Sequence, residues 1–411
     1  MHKKGRLRDV PLPSTFHNLM KKCDSKRRAA RLRILVIAPE QLPIPPITGG
    51  SVETAMYNIF RRMANQDSVT IVSRAHPRLP PASHTGKLTI LRIPRRSRTS
   101  YLHAAIQKVR GKRFDLIQIE NRPTFVPAVR RAFPRTPIVL SLHSLTFMSQ
   151  LSRQRANAIL SQVNGITSVV SFVSQTMRKQ YPRHARKFST AILGVDTGKF
   201  RPRTLAYKRR VRRAWGIHKR YNVLFAGRMV PKKGLHTLVR AVALLRRRWP
   251  RMGIVAVGSS WPGVKKETPY MRHVRLLARR LNVPIRFTGY HPPSRMPQMY
   301  HLGDVFVCPT QYREGFATVN SEAMASGIPV IASKRGGISE VVQHGKSGLL
   351  VRQCRSPRAF ADAIARVKTS PGLARRLAQG GRKRVIARFS WNKTVSRLRR
   401  KYSMIKRRRA A

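Results

Sequence analysis

Residues 304–333 read "DVFVCPTQYREGFATVNSEAMASGIPVIAS". The opening "DVFVCPT" is a continuous apolar run of the kind that forms a strand buried in a parallel sheet. "QYREG" is its polar exit loop, and "ATVNSEAMAS" reads as a helix stopped by Gly327 and then Pro329. "PVIAS" follows as the next strand. Strand, loop, helix and strand in this order form a parallel crossover unit, so the stretch predicts an α/β sheet. It also holds Glu314 and Glu322, in a chain with 85 Lys and Arg against 14 Asp and Glu. Solvated faces of this chain use Lys or Arg. Two carboxylates among Gly, Ala and apolar neighbours need another reason.

The same alternation extends in both directions. Order begins at "RILVIAP" (33–39), followed by the Pro-rich loop "EQLPIPPITGG". In "SVETAMYNIFRRMA", Val52, Ala55, Met56, Ile59, Phe60 and Met63 fall at helical spacing on one apolar face. Further runs are "VTIVS" (69–73), "LTILRIP" (88–94), "LIQIEN" (116–121), "IVLSLHS" (138–144), "ITSVVSFVS" (166–174) and "AILGVD" (191–196). A second series starts at "NVLFAGR" (222–228) and continues through "GIVAVGSS", "IRFTGY", "DVFVCPT", "PVIAS" and "SGLLV". Two doubly wound domains of one class are predicted, which suits a chain of 411 residues. Residues 1–31 read as a basic tail, and 197–221 as a polar, basic linker near the junction. In "SWNKTVSRLRRKYSMI" (390–405), Trp391, Val395, Leu398, Tyr402 and Ile405 mark a helix with one buried face.

Composition narrows the classes. The three cysteines, Cys23, Cys308 and Cys354, form no CxxC pair and read as thiols in a reducing compartment. The N-terminus lacks an apolar leader, and no run is long and apolar enough to span a bilayer. These features predict a cytoplasmic protein. The net charge of +71 attracts polyanions. Nucleic acid, an anionic membrane, an acidic assembly and a merely basic surface all remain open on charge alone. No recognisable nucleic-acid-binding motif is present, so nucleic acid is not expected as a specific partner. Peripheral contact with an anionic membrane or an acidic coat would place the protein at a membrane surface or in a spore coat.

In open α/β sheets, ligands bind beyond the carboxyl ends of the strands. Two such domains facing each other make a cleft. "TGGS" (48–51) lies between the first strand and its helix, where Gly49 and Gly50 let backbone N–H groups approach an anion. "AGRMVPKKG" (226–234) follows the first strand of the second domain. Arg228 and Lys233 there suit a diphosphate. Glu314 and Glu322 are too far apart to act on one bond, unlike a hydrolase pair. They suit two parts of one extended ligand, since carboxylates accept hydrogen bonds from sugar hydroxyls. Glu340, in "RGGISEVV", either closes the same region or is a helix-turn residue.

The Gly-Gly loop, "GRMVPKKG", and the "EGF" element with its second glutamate, followed by "ASGIPVIAS" and "GGI", occur in this order. Together they resemble retaining glycosyltransferase family 4, over about residues 32–404. "IQIENRP" and "TGGSVETAMYNI" are similar to the spore-coat-associated branch of that family. The resemblance implies a GT-B fold of two Rossmann-like domains. The acceptor side would be 32–200 and the nucleotide-sugar side 201–389. Residues 390–411 would be a helix crossing back to the first domain, with a basic tail. It implies that Arg228 and Lys233 stabilise a departing diphosphate and that Glu314 faces the transferred sugar. Glu322 would hold the ribose. The backbone of Gly315, Phe316, Ala317 and Thr318 would cradle sugar and phosphate, Gly49 and Gly50 would approach the diphosphate, and His143 would line the donor sugar. No DxD motif occurs, and the family generally needs no metal. The resemblance therefore implies no cofactor beyond the nucleotide-diphosphate sugar that serves as donor substrate. The acceptor, whether glycan, lipid-linked or protein, is not legible. The alternative is a basic coat or scaffold protein that keeps the fold and mainly binds polyanions.

Overall fold

The structure is a computed structural model, and it describes residues 31–410 except Arg95, Arg96, Lys219 and Lys265. Apart from Arg31, the basic tail read over 1–31 lies outside the described residues. The first sheet contains β1 (Arg33–Ile37), β2 (Ser68–Arg74), β3 (Ala82–Thr85), β4 (Leu88–Ile93), β5 (Leu116–Glu120), β6 (Ile138–Leu142), β7 (Gly165–Ser168) and β8 (Phe188–Thr190). Its order is β3-β4-β2-β1-β5-β6-β7-β8. Only the edge pair β3–β4 is antiparallel. The second sheet contains β9 (Tyr221–Ala226), β10 (Met252–Val257), β11 (Ile285–Gly289), β12 (Val305–Cys308), β13 (Val330–Ser333) and β14 (Leu349–Val351). Its order is β11-β10-β9-β12-β13-β14.

The apolar runs form these strands because helices cover both sheet faces, leaving little need for alternation. All five residues of β5 and all six of β10 are buried. In each sheet the chain winds outward from a central strand and then reverses. The reversals lie between β1 and β5 and between β9 and β12. Crevices open at the carboxyl ends of strands at such points.

Four local expectations change. Residues 197–221 are not simply a linker, since Leu205–Ala214 is a helix capped by Thr204 Oγ1, which accepts from the Tyr207 N–H. Arg212 secures that helix to the second domain through Asp304 Oδ1 at 2.7 Å and the carbonyl of Gly303 at 2.8 Å. "ITSVVSFVS" divides into β7 and a helix, Ser171–Gln180. Its apolar residues suit either period, and the break at Val169–Val170 decides. "AILGVD" is irregular, with β8 just before it, and the polar edge strand β3 was not predicted.

The last helix, Trp391–Ala410, follows the second sheet but packs on the first domain. Arg399 Nε reaches Asp67 Oδ2 at 2.6 Å, and the Thr394 hydroxyl donates to the carbonyl of Ile192 at 2.6 Å. Lys406 Nζ lies 3.2 Å from Asp115 Oδ1. Among the described residues no helix is long and apolar enough to cross a membrane.

The start of this helix approaches the first domain closely. A Cβ placed on Gly194 would lie 2.4 Å from the backbone nitrogen of Trp391. Backbone cannot rotate away as a side chain can. Gly194→Ala is therefore expected to lower stability by about 1–3 kcal/mol, the usual range for overpacking. A chemical-denaturation midpoint equal to wild type would show that the helix does not seat against Gly194.

Candidate active site

The exit loops of β9 and β12 are pressed together. Gly234 has φ +74°, and a Cβ there would lie 2.0 Å from the carbonyl oxygen of Pro309. Only glycine fits that conformation and that contact. The carbonyl of Lys232 accepts from the Gln311 N–H at 2.9 Å and from the Thr310 hydroxyl at 3.2 Å. This stitching brings Lys233 Nζ onto Glu314 Oε1. The single Thr310 hydroxyl proton is shared between the Lys232 carbonyl and Glu314 Oε1, also 3.2 Å away, and the Tyr312 hydroxyl donates to Oε2 at 2.6 Å. Burial works against the Lys233 ammonium, but the Glu314 carboxylate outweighs it and holds the group above its ordinary range. Lys233 and Glu314, expected to hold separate parts of a ligand, are thus an ion pair here. Burial, with Arg228 and Lys233 nearby, lowers the neighbouring Lys232. Arg228 lies over the ring of Trp261, 5.4 Å from its centroid.

Glu314 leads into Gly315, Phe316 and Ala317, and then into the helix Thr318–Ala325. Phe316 anchors the loop, edge-on to Phe389 at 5.4 Å. Ala317 takes the left-handed conformation at φ 50°, ψ 67°. That costs a non-glycine residue on the order of 1 kcal/mol, and such strain gathers at ligand clamps. Glu322 is half-buried one helical stretch further on, where its Oε2 accepts from the Tyr300 hydroxyl at 2.6 Å. Burial raises its pKa, and the Tyr300 hydrogen bond opposes the rise. Glu314 and Glu322 share no hydrogen-bond partner among the described residues.

The first domain presents a second polar group at the ends of β1, β5 and β6. Arg122, fully buried, donates from Nε to Glu40 Oε2 at 2.7 Å and stacks on Phe147 at 4.2 Å. Burial alone would raise the Glu40 pKa, and Arg122 overrides it to leave a net lowering. His143 Nε2 lies 3.0 Å from Glu120 Oε2. Glu53, in the first turn after Gly50, is buried, and its carboxyl is pushed up to about 7. Burial is the main cause, opposed by its own backbone N–H, His143 and Arg122. Gly50, at φ +99°, leaves room for that carboxylate: a Cβ there would lie 2.2 Å from Glu53 Oε2.

Both domains meet across this space. A Cβ on Gly315 would lie 2.1 Å from the carbonyl oxygen of His143, so the Glu314–Ala317 loop rests on the other domain's backbone. Gly49 faces Pro262 and Pro293, each 3.9 Å from a Cβ placed there. Glu340 does not turn into the same group. Its carboxylate caps the first-domain helix Ser171–Gln180, accepting from Ser171 N at 2.7 Å and Phe172 N at 2.5 Å. The loop Glu314–Ala317 and His143 are therefore brought together, while Gly49 faces second-domain prolines and Gly50 packs on Glu53 and Leu42 of its own domain. Tyr300, Thr310, Tyr312, Glu120 and Trp261 were not singled out from the sequence. Tyr312 is two residues before Glu314, and that spacing was the one available signal.

The Lys233–Glu314 pair is mostly buried, with side-chain exposures of 16% and 8%. Lys233→Met strands a buried carboxylate and is expected to lower stability by roughly 2–4 kcal/mol, less than a fully isolated charge because Tyr312 and Thr310 remain. Adding Glu314→Gln should recover much of that loss. Urea denaturation of both variants measures it, and a double variant no better than the single would deny the coupling. Glu53 gives a pH signature. Its folded-state pKa, about 7, lies above the ordinary 4.5, so the stability it favours is present below pH 4.5 and is lost as pH rises to about 7. Glu53→Gln is expected to remove a decline on the order of 3 kcal/mol across that window. Parallel stability–pH curves for wild type and variant would exclude a raised Glu53.

Residues 48–199 match the family described as Glycosyltransferase Family 4, and residues 208–384 match Glycosyl transferases group 1. The chain is 31% identical over 379 residues to YtcC of Bacillus subtilis (strain 168), a match covering 91% of this chain and 92% of YtcC. It is 29% identical over 372 residues to Spore coat protein SA of the same strain, covering 89% of this chain and 98% of that protein. Its fold matches the crystal structure of Anabaena HepE in complex with UDP and glucose, with a TM-score of 0.72 at 19% identity. That match covers 91% of this chain and 100% of HepE. With both halves matched in order and YtcC covered almost end to end, the chain belongs to the family 4 glycosyltransferases and has their GT-B fold of two Rossmann-like domains.

Proposed function

We propose that the protein moves a sugar from a nucleotide-diphosphate sugar to an acceptor, with retention of configuration and without a metal. The observation that carries this reading is the Lys233–Glu314 pair at the switch point of the second sheet, beside Arg228 and under a loop resting on His143. The departing diphosphate needs positive charge that is already in place. Arg228 offers a guanidinium fork, and Lys233 offers a point charge. A ligand phosphate would share Lys233 with Glu314. That leaves Glu314 to accept from sugar hydroxyls. His143 would line the sugar from the opposite domain. Glu322 uses one oxygen for Tyr300, which leaves the other for ribose hydroxyls. The backbone of Gly315, Phe316, Ala317 and Thr318 would cradle sugar and phosphate, with Gly49 and Gly50 near the diphosphate.

HepE was solved with UDP and glucose, which supports a nucleotide-sugar donor for the shared fold. The similarity to Spore coat protein SA supports a role in spore coat or cell-surface glycan assembly. In same-face transfer the departing diphosphate oxygen lies beside the incoming acceptor hydroxyl and would take its proton as the glycosidic bond to the diphosphate breaks. Electrostatic stabilisation of an oxocarbenium-like state would supply most of the rate.

Calorimetric titration with UDP and GDP in the presence of a chelator tests the donor site. Binding of one of them is expected, and Glu322→Ala should weaken it by about 1–3 kcal/mol through loss of a charged acceptor. Unaltered affinity in a folded Glu322→Ala variant would remove Glu322 from the site.

A further inference from the structure

His143 is oriented from outside its own loop. The Glu120 carboxylate that meets its Nε2 at 3.0 Å belongs to the neighbouring strand β5. Gln118, two residues earlier on the same face of that strand, donates from Nε2 to Glu120 Oε1 at 2.5 Å. The amide oxygen of Gln118 accepts the hydroxyl of Tyr402, which comes from the C-terminal helix. Gln118, Glu120 and Tyr402 are each no more than 1% exposed, and the His143 side chain is 10% exposed. One buried hydrogen-bonded chain therefore runs from the last helix to the cleft.

Its direction follows from its ends. Burial, with Glu120 and Asp67 nearby, pushes the Tyr402 phenol far above its ordinary range, so it keeps its proton and donates. Gln118, accepting through its oxygen, then turns its NH2 to Glu120. Glu120 accepts on both oxygens, which requires a proton on His143 Nε2. In the neutral ring, Nδ1 is left as the acceptor. A buried carboxylate deprived of these donors is costly, so the order is strongly enforced. Glu53 lies within charge range of both His143 and Arg122, and Arg122 is committed to Glu40.

We propose that Tyr402, Gln118 and Glu120 are positioning residues that fix the ring orientation and Nε2 proton of His143, so that seating of the C-terminal helix sets the cleft histidine. The consequence for sugar transfer rests on the reading of His143 as a donor-lining residue, whereas the hydrogen-bond chain itself does not. Because this helix follows the second domain, a movement between domains that strains it reaches His143 by this route.

The test is proton NMR of the full chain labelled with 15N-histidine, with the His143 ring assigned by its loss in His143→Gln. Wild type is expected to show a His143 Nε2–H resonance protected from solvent exchange. Tyr402→Phe keeps the ring packing and removes only the hydroxyl. It is expected to speed that exchange about fivefold, the effect of losing one ordinary hydrogen bond. Glu120→Leu is expected to abolish the protection. Absence of a protected resonance in wild type would overturn the proposal. So would exchange unchanged by Tyr402→Phe, which would reduce the chain to an isolated Glu120–His143 pair. The proton readout needs no ligand, so it remains interpretable even if nucleotide titration rejects the donor site.

Discussion

The structure of the site depends on one buried contact, the ammonium of Lys233 on the carboxylate of Glu314. Two loops from the strands flanking the second sheet's switch point must touch for it to form. Glycine at 234 permits that approach because any Cβ would collide with the carbonyl of Pro309. Once formed, the contact sets the start of the strained turn at Ala317 and of the helix carrying Glu322. It also sets where Gly315 meets the His143 carbonyl. Such a pair is weak evidence for stability, because desolvation offsets much of its Coulomb attraction. Its value is positional: it keeps a cation and an anion ready in a cleft largely screened from water.

The rest of the electrostatics follows from scarcity. A chain with net charge +71 has 14 acidic side chains, and their placement is selective. Glu40, Glu53 and Glu120 gather around Arg122 and His143 of the first domain, Glu314 pairs with Lys233, and Glu322 accepts from Tyr300. Glu340 bridges the domains by capping a first-domain helix through its backbone N–H groups. Asp67 and Asp115 anchor the final helix through Arg399 and Lys406. Arg and Lys cannot accept hydrogen bonds, so the backbone N–H groups of Ser171 and Phe172 and the imidazole of His143 draw their acceptors from this small set.

Much of the architecture was legible because strands buried on both faces are written as unbroken apolar runs. "RILVIAP", "LIQIEN" and "GIVAVGSS" could scarcely be anything else. The exceptions have physical causes. β3, "ASHT", is a polar edge strand that pairs with β4 alone. "ITSVVSFVS" is apolar at both the strand and helix periods. Residues 205–214 are so rich in Arg that one buried valine, Val211, carries the apolar side of the helix. At the site, Glu314, Glu322, Arg228 and Lys233 stand out by motif and order. Their partners Tyr300, Tyr312 and Thr310, and the chain from Tyr402 to His143, do not. Those contacts are made between segments distant in sequence, or by residue types with no distinctive spacing. The pairing of Lys233 with Glu314 was also hidden, since loop-to-loop packing has no periodic signature.

The central claim is that this cleft supports departure of a nucleoside diphosphate using side-chain cations alone, with the sugar leaving and arriving on the same face. Time-resolved proton NMR of purified protein with UDP- and GDP-sugars in excess chelator observes this directly. The expected result is release of nucleoside diphosphate with the first-formed sugar product in the donor's anomeric configuration. First appearance of the opposite anomer, or turnover seen only after a divalent cation is added, would contradict it.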